Sequence, residues 1–337
     1  MSKRVDGLRV ALLVSAFLLN LIPLYQFIGS MIWFREYLGD YKVFWGIASL
    51  PGGEAYEHQV FGYPPTALLL IKPFGLLPFW PSLLAWSAGG ALAMILAARR
   101  LMPLAAIALG LATYAGIGVL VGGQISLFIG ALVIAAISAS QSRWRGLLLG
   151  IAAVIKPQSL LAAPIGLVAE RNWRAIGWAV AASLALVAAS MVLFGPQLWL
   201  RWGQELPRFQ AVLEQRGLDT SDVGLYGLAR SLGLPGVLYV IGIPLAGLTT
   251  WTMFRSEAKP LDRYAAFAAS SVLLSPYTLY YDLAGLTLAC TAMLLDRGRS
   301  PLVWLAAALV VSSVFASVGV LLLSIMLAME ALRRRDA

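Results

Sequence analysis

Proton transfer and charge stabilisation are the chemistries open to the polar residues of this chain. Residues 39–65 read Gly-Asp-Tyr-Lys-Val-Phe-Trp-Gly-Ile-Ala-Ser-Leu, then Pro-Gly-Gly-Glu-Ala-Tyr-Glu-His-Gln-Val-Phe-Gly-Tyr-Pro-Pro. This polar, aromatic stretch lies between two hydrophobic runs. It holds Asp40, Glu54, Glu57 and His58, the only histidine. A carboxylate beside a hydroxyl group can take its proton as the oxygen attacks. Asp40 would also serve as an N-cap, and composition alone favours that role. Glu54, Glu57 and His58 read first as solvated loop residues, with His58 kept as a secondary site candidate. Further on, Lys156 lies inside an apolar run. A charge there is costly and functional by default. The competing reading is a side chain that snorkels to the interface. Pro157 and Gln158 favour function, because a helix break lining a wet cavity can satisfy its freed backbone groups. Lys72, next to Pro73 and without polar neighbours, reads as snorkelling. Gln124 follows two glycines and reads equally as a loop residue. Asp282 stands beside Tyr280 and Tyr281 between apolar runs, where it either caps the next helix or faces a site. Trp199 and Trp202 fit an aromatic belt.

Other chemistries lack their residues. The chain has no Walker A loop, no dinucleotide fingerprint after a strand and no His-Glu-x-x-His. One His and one Cys do not furnish a zinc site, so no metal or cofactor is expected. Asp219 and Asp222 do not have the Asp-x-Asp spacing of nucleotide-sugar enzymes, which disfavours a nucleotide-sugar donor.

The elements that position these residues follow from composition. The 337 residues are 60% hydrophobic and only 12% charged, with a mean hydropathy of +0.81. A soluble domain carries about 25% charged residues. The chain therefore reads as an all-α polytopic membrane protein, a single integral domain over 1–337. Its length allows at most about a dozen crossings. The net charge of +9 orients the chain in the bilayer rather than pointing to nucleic acid. The lone Cys290 excludes a disulfide framework.

Expected spans are 8–33, 101–121, 125–140, 175–194 and 237–254, with paired runs at 264–274 and 283–295. Residues 40–50 have helical spacing and suit an interfacial helix. Residues 146–169 read as two short helices meeting at Lys156-Pro157-Gln158. Residues 302–331 are long enough to fold back near 317–319. Residues 34–63 and 195–236 form two polar loops. The positive-inside rule puts both termini, 99–100, 143–145, 171–174, 255–263 and 297–299 in the cytoplasm. Asp40, Gln124, Lys156, Gln158 and Asp282 then share the outer face. Two crossings within 64–98 would put Arg99 and Arg100 outside. Either one helix there is re-entrant or those arginines break the rule. A transporter or lipid flippase is the alternative class, although transporters often show paired repeats and mid-membrane sites, whereas the polar residues here gather at one face.

Gly39-Asp40-Tyr41, Gly53, Tyr56 and Phe61-Gly62-Tyr63-Pro64-Pro65 together resemble the first-loop signature of bacterial glycosyltransferase family 87. Further matches are Gly123-Gln124-Ile125-Ser126, Lys156-Pro157-Gln158, and Ser275-Pro276-Tyr277 leading to Tyr281-Asp282. The resemblance covers roughly residues 8–295, and nothing after Asp296 matches. It implies a GT-C bundle of about 11–13 transmembrane or re-entrant helices, with an extracytoplasmic first loop, in the bacterial inner membrane. It implies a polyprenyl-phosphate sugar donor, mannose-like, and a glycan or glycolipid acceptor. Asp40 takes the place of the family's general base. Lys156 is then on the correct face to meet the charge that develops on the leaving phosphate. One base opposite the phosphate implies inversion. Tyr41, Tyr63, Tyr281, Gln124, Gln158, His58 and Asp282 remain as substrate-binding candidates.

Overall fold

The computed structural model describes residues 3–34, 39–51, 54–56, 61–215, 222–234 and 239–336. Gly53, Glu57, His58 and Asp219 lie outside the described residues. Among the described residues there are helices, short 3-10 turns and no strand. The first helices are α1 (Lys3–Phe34), α2 (Gly39–Ser49), α3 (Ala67–Ile71), α4 (Phe79–Ala98), α5 (Leu104–Leu111) and α6 (Tyr114–Val121). They are followed by α7 (Ser126–Ser138), α8 (Ser142–Ile155), α9 (Ala163–Ala169), α10 (Trp173–Phe194) and α11 (Gln197–Gln215). The last are α12 (Leu225–Ser231), α13 (Tyr239–Arg255), α14 (Pro260–Leu274), α15 (Ala284–Leu295), α16 (Pro301–Val311) and α17 (Ala316–Asp336).

Four helices, α1, α4, α10 and α17, contain stretches long and apolar enough to cross a bilayer. Their outward faces expose large apolar side chains such as Leu18, Leu84, Leu92, Leu184 and Val192. Such faces suit lipid, not water. At the centre, α15 is apolar all round and almost wholly buried, as a helix surrounded by other helices must be. The chain is a polytopic membrane protein.

Ion pairs show which segments share an end. Asp6 pairs with Arg9 and Arg297, and Arg299 joins Asp262, Asp296 and Glu330. Arg334 reaches Asp262, while Glu170 joins Arg145 to Arg263. Both terminal helices and the arginine-bearing turns therefore meet at one end, as the charge pattern required. Asp40, Gln124, Lys156 and Asp282 meet at the other.

Several expected boundaries move. Residues 101–121 are not one straight span. α5 and α6 meet at 71°, because Thr113 ends one helix and caps the next, its Oγ1 accepting from Gly116 N at 3.2 Å. The fold-back near 317–319 falls earlier. α16 stops at Val311, Ser313 takes a left-handed φ of 60°, and α17 starts at Ala316. Within 64–98, α3 and the 3-10 turn Lys72–Leu76 are too short to cross, and α4 crosses alone. A single crossing there is compatible with Arg99 and Arg100 on the same side as the other arginine-bearing turns. Lys72 reaches the C-terminal end of α2. Its Nζ donates to the carbonyls of Ile47 and Leu50 at the end of α2. On α2, Phe44 and Ile47 of the expected apolar set Val43, Phe44, Ile47 and Leu50 are buried, joined by Tyr41, and the helix packs on α3, α4 and that turn.

Candidate active site

Asp40 lies in the first turn of α2 and is exposed. Its Oδ2 accepts from the side-chain amide of Gln124. A left-handed residue makes this possible: Gly123, at φ +61°, follows the end of α6 and turns Gln124 back towards α2. A Cβ at Gly123 would stand 2.7 Å from the Tyr41 ring, so glycine is required by both backbone and space. Tyr41 is consequently a support rather than a lining residue. It is 1% exposed, and its hydroxyl shares a 2.6 Å hydrogen bond with Ser82 Oγ.

Lys156 closes α8 with an extended φ of −140°. Pro157 disfavours the helical conformation for the residue before it, and a 3-10 turn follows. The break leaves Lys156 only 2% exposed. Its Nζ forms an ion pair with Asp282 Oδ1 and lies 3.0 Å from Ser126 Oγ. Ser126 in turn donates to Asp282 Oδ1 at 2.6 Å. The ammonium also faces two rings, 5.7 Å from Tyr281 and 5.9 Å from Tyr63. Asp282 does cap locally as well, since Leu279 N donates to its Oδ2 at 3.4 Å. The expected cap of the following helix is not made, because Leu283 occupies the N-cap of α15 and Asp282 instead closes the 3-10 turn before it. Gln158 donates to the Tyr277 hydroxyl at 3.1 Å.

Tyr63 connects the two halves. Its carbonyl accepts from the Tyr56 hydroxyl at 2.6 Å. Burial pushes the Tyr63 phenol well above its usual range, and the charges of Asp282 and Asp40 add to the shift. Both carboxylates thus act on one phenol. Burial likewise raises Tyr277. These phenols stay protonated and can donate hydrogen bonds to a polar ligand. Behind the Lys156–Asp282 pair lies a cavity of about 70 Å³, lined in part by Ser126, Gln158, Ser159, Ser271 and Thr278. The rest of its wall is mostly apolar, with Ile129, Val133, Phe267, Val272 and Leu286, and the cavity has room for water.

Two contributors were not selected from sequence. Ser126 sits inside a motif already singled out, directly after Gln124 and Ile125, and the signal was its place at the start of a buried helix. Asp222 had no usable signal. It is buried, and its Oδ1 accepts from Gly224 N at 2.7 Å and Thr278 N at 2.9 Å. It thereby ties the second polar loop to the segment bearing Tyr277 and Asp282. Over the site, Trp202 of α11 donates to the Gly62 carbonyl at 3.1 Å, and Phe209 lies 6.0 Å from Tyr277. His58 falls outside the described residues, so of the candidates the structure brings together Asp40, Tyr63, Gln124, Lys156, Gln158, Tyr281 and Asp282.

A carboxylate, a buried lysine and protonated phenols gathered at one end of a helical bundle make this a polytopic membrane protein with a polar cluster at that end. The model of glycosyltransferase family 87 matches residues 61–276, and the chain belongs to that family. It is similar to the polyprenol-phosphate-mannose-dependent alpha-(1-2)-phosphatidylinositol pentamannoside mannosyltransferase of Mycolicibacterium smegmatis (strain ATCC 700084 / mc(2)155), with 28% identity over 235 residues. That alignment covers 64% of this chain and 56% of the relative, so the chain spans about half the length of the curated protein it matches. No solved structure matches significantly.

Proposed function

We propose that the protein moves a mannose-like hexose from a polyprenyl-phosphate sugar to a hydroxyl group of a glycan or glycolipid, on the outer face of the bacterial inner membrane. The observation carrying this reading is the convergence of Asp40–Gln124 with Ser126–Lys156–Asp282 around Tyr63 and Tyr281. The relative's name specifies a polyprenol-phosphate-mannose donor, which supports the donor class.

In this mechanism Asp40 takes the proton of the acceptor hydroxyl as its oxygen bonds to the anomeric carbon. The bond from that carbon to the phosphate oxygen breaks, and the sugar inverts. The phosphodiester becomes a phosphomonoester, so negative charge grows on the leaving group and needs a cation. Lys156 supplies it. In the ligand-free protein its charge is already matched by Asp282. An arriving phosphate must therefore exchange places with Asp282 as partner of the ammonium. The cavity beside Asp282, with the hydroxyl groups of Ser126, Ser271 and Thr278 in its wall, gives the released carboxylate room to turn. Gln124 orients Asp40, and the phenols of Tyr63 and Tyr281 are placed to hold sugar hydroxyls. The test is purified protein in liposomes with a panel of polyprenyl-phosphate sugars, scored for release of polyprenyl phosphate. Turnover with a nucleotide sugar alone, free of polyprenyl lipid, would reverse the donor assignment.

A further inference from the structure

At the end of the bundle away from Asp40, a recess of about 650 Å³ is lined by Arg145, Glu170, Arg171, Asn172, Phe254 and Arg255. Its one carboxylate is already engaged. Glu170 pairs with Arg145 at 2.5 Å and with Arg263 at 2.7 Å. Arg145 also donates to the carbonyls of Ala136 and Ala139. Arg171 and Arg255 are exposed and make no ion pair among the described residues, and Arg255 lies over the Trp251 ring at 5.6 Å. The recess therefore carries surplus positive charge.

Arginines near helix C-termini and cytoplasmic loops have general causes. Two features go beyond those causes. Arg171 sits at φ 55°, in the turn that ends α9, with Arg171 N bonded to Val168 O and Asn172 N to Leu167 O at 2.9 Å each. Glycine is the usual residue at such a position, yet the chain keeps a long cation there. In addition, α10 begins at the recess, with Asn172 Oδ1 accepting from Ala175 N at 3.1 Å. The first N–H groups of this 22-residue helix add their positive dipole end to the same space.

What surrounds the recess distinguishes a lipid from a free ion. α9 has only 7 residues and packs between the longer α10 and α13. The flanking helices expose Val180 and Leu184 on one side and Leu248 and Trp251 on the other. We propose that the recess binds the phosphate headgroup of an anionic phospholipid, with its acyl chains along these apolar faces. Arg171 and Arg255 make charge-assisted hydrogen bonds to the phosphate oxygens, and Trp251 marks the level of the interface.

The test uses the whole chain and native mass spectrometry, titrating phosphatidylglycerol against phosphatidylcholine, with phosphatidylglycerol and inorganic phosphate also compared by thermal shift. The parent should prefer phosphatidylglycerol. Arg171→Gly combined with Arg255→Gln should weaken that lipid about tenfold, less than two buried charge-assisted bonds would give because both arginines are exposed and screened, with its thermal stability preserved because glycine suits φ 55°. Arg333→Gln, outside the recess, should change nothing. A parent with no lipid preference, or a preference that survives the double substitution, overturns the proposal. Stabilisation by inorganic phosphate equal to that by phosphatidylglycerol overturns the lipid assignment in favour of a free-anion site.

Discussion

Substitution of Asp282 separates a charge reserved for the donor from a structural ion pair. Lys156 is 2% exposed and the Asp282 side chain 12%, so neither charge can turn to bulk water. Removing one partner of a buried pair costs about 3–5 kcal/mol. Asp282→Asn leaves the Lys156 ammonium without a counter-ion. It keeps a side-chain oxygen for Ser126 and a group that can still bond at the turn. A phosphate-bearing donor would then meet a cation with no competitor. A charge-assisted bond is worth about 1.5–3 kcal/mol, so polyprenyl-phosphate mannose should bind roughly 10- to 100-fold more tightly to Asp282→Asn than to the parent. Lys156→Met should bind it about 10- to 100-fold more weakly, and should also be destabilised because Asp282 is stranded. Pairing Lys156→Met with Asp282→Leu should recover much of that stability, since replacing both members of an ion pair with apolar residues is often neutral, but should not recover binding. Binding is read by isothermal titration in detergent, with thermal unfolding on the same preparations. If Asp282→Asn and Lys156→Met weaken donor binding alike, the pair is a strut and partner exchange is wrong.

Further predictions follow from single contacts. Gly123→Ala should cost about 1–2 kcal/mol through its left-handed φ and should lower turnover by displacing Gln124; thermal unfolding and initial rates check both. Glu170→Gln frees two arginines from a partly exposed pair, so a loss of about 1–3 kcal/mol is expected, discounted for that exposure and read by denaturant unfolding. Burial, opposed by the backbone N–H groups of Gly224, Thr278 and Gly227, raises the Asp222 carboxyl above its ordinary value of 3.8. The folded state then holds this proton more tightly than the unfolded chain. Stability from Asp222 is full below pH 3.8 and is lost as pH rises through the folded value. Asp222→Asn should flatten that loss in a pH series of melting temperatures. In a Cys290→Ala background, Glu54→Cys should react with an impermeant thiol reagent from outside the cell; labelling only from the cytoplasmic side contradicts the proposed orientation.

What the sequence disclosed depended on whether the cause was local. The break at Lys156 was legible because Pro157 acts on the residue directly before it. The shared end of the arginines was legible because loop charge follows membrane side. The Lys156–Asp282 pair was not, since 126 residues separate its members and neither position limits the other in the chain. Tyr41 misled for a related reason: a tyrosine beside a candidate base suits a ligand, but helical phase turned it inwards to Ser82. The bend at Thr113 has no proline, and arises from a capping hydroxyl together with the room that Gly116 leaves for Leu111, a combination that spacing alone does not reveal. Asp222 acts through backbone N–H groups of a distant segment, a role open to any acidic loop residue.

The central claim is that Asp40 removes the acceptor proton, and Asp40→Asn tests it most directly. Asparagine keeps the size and a hydrogen-bond acceptor for the Gln124 amide, and it still fits the first turn of α2, so a purely structural role survives. It cannot accept a proton at neutral pH. The measurement is the initial rate of polyprenyl phosphate release in liposomes, with donor binding and melting temperature taken on the same preparations. General-base catalysis contributes about 10²–10⁴-fold, so the rate should fall by that factor while binding and stability stay at parent values. A parent-like rate in Asp40→Asn would contradict the account and leave Asp40 with a structural role in the first turn of α2.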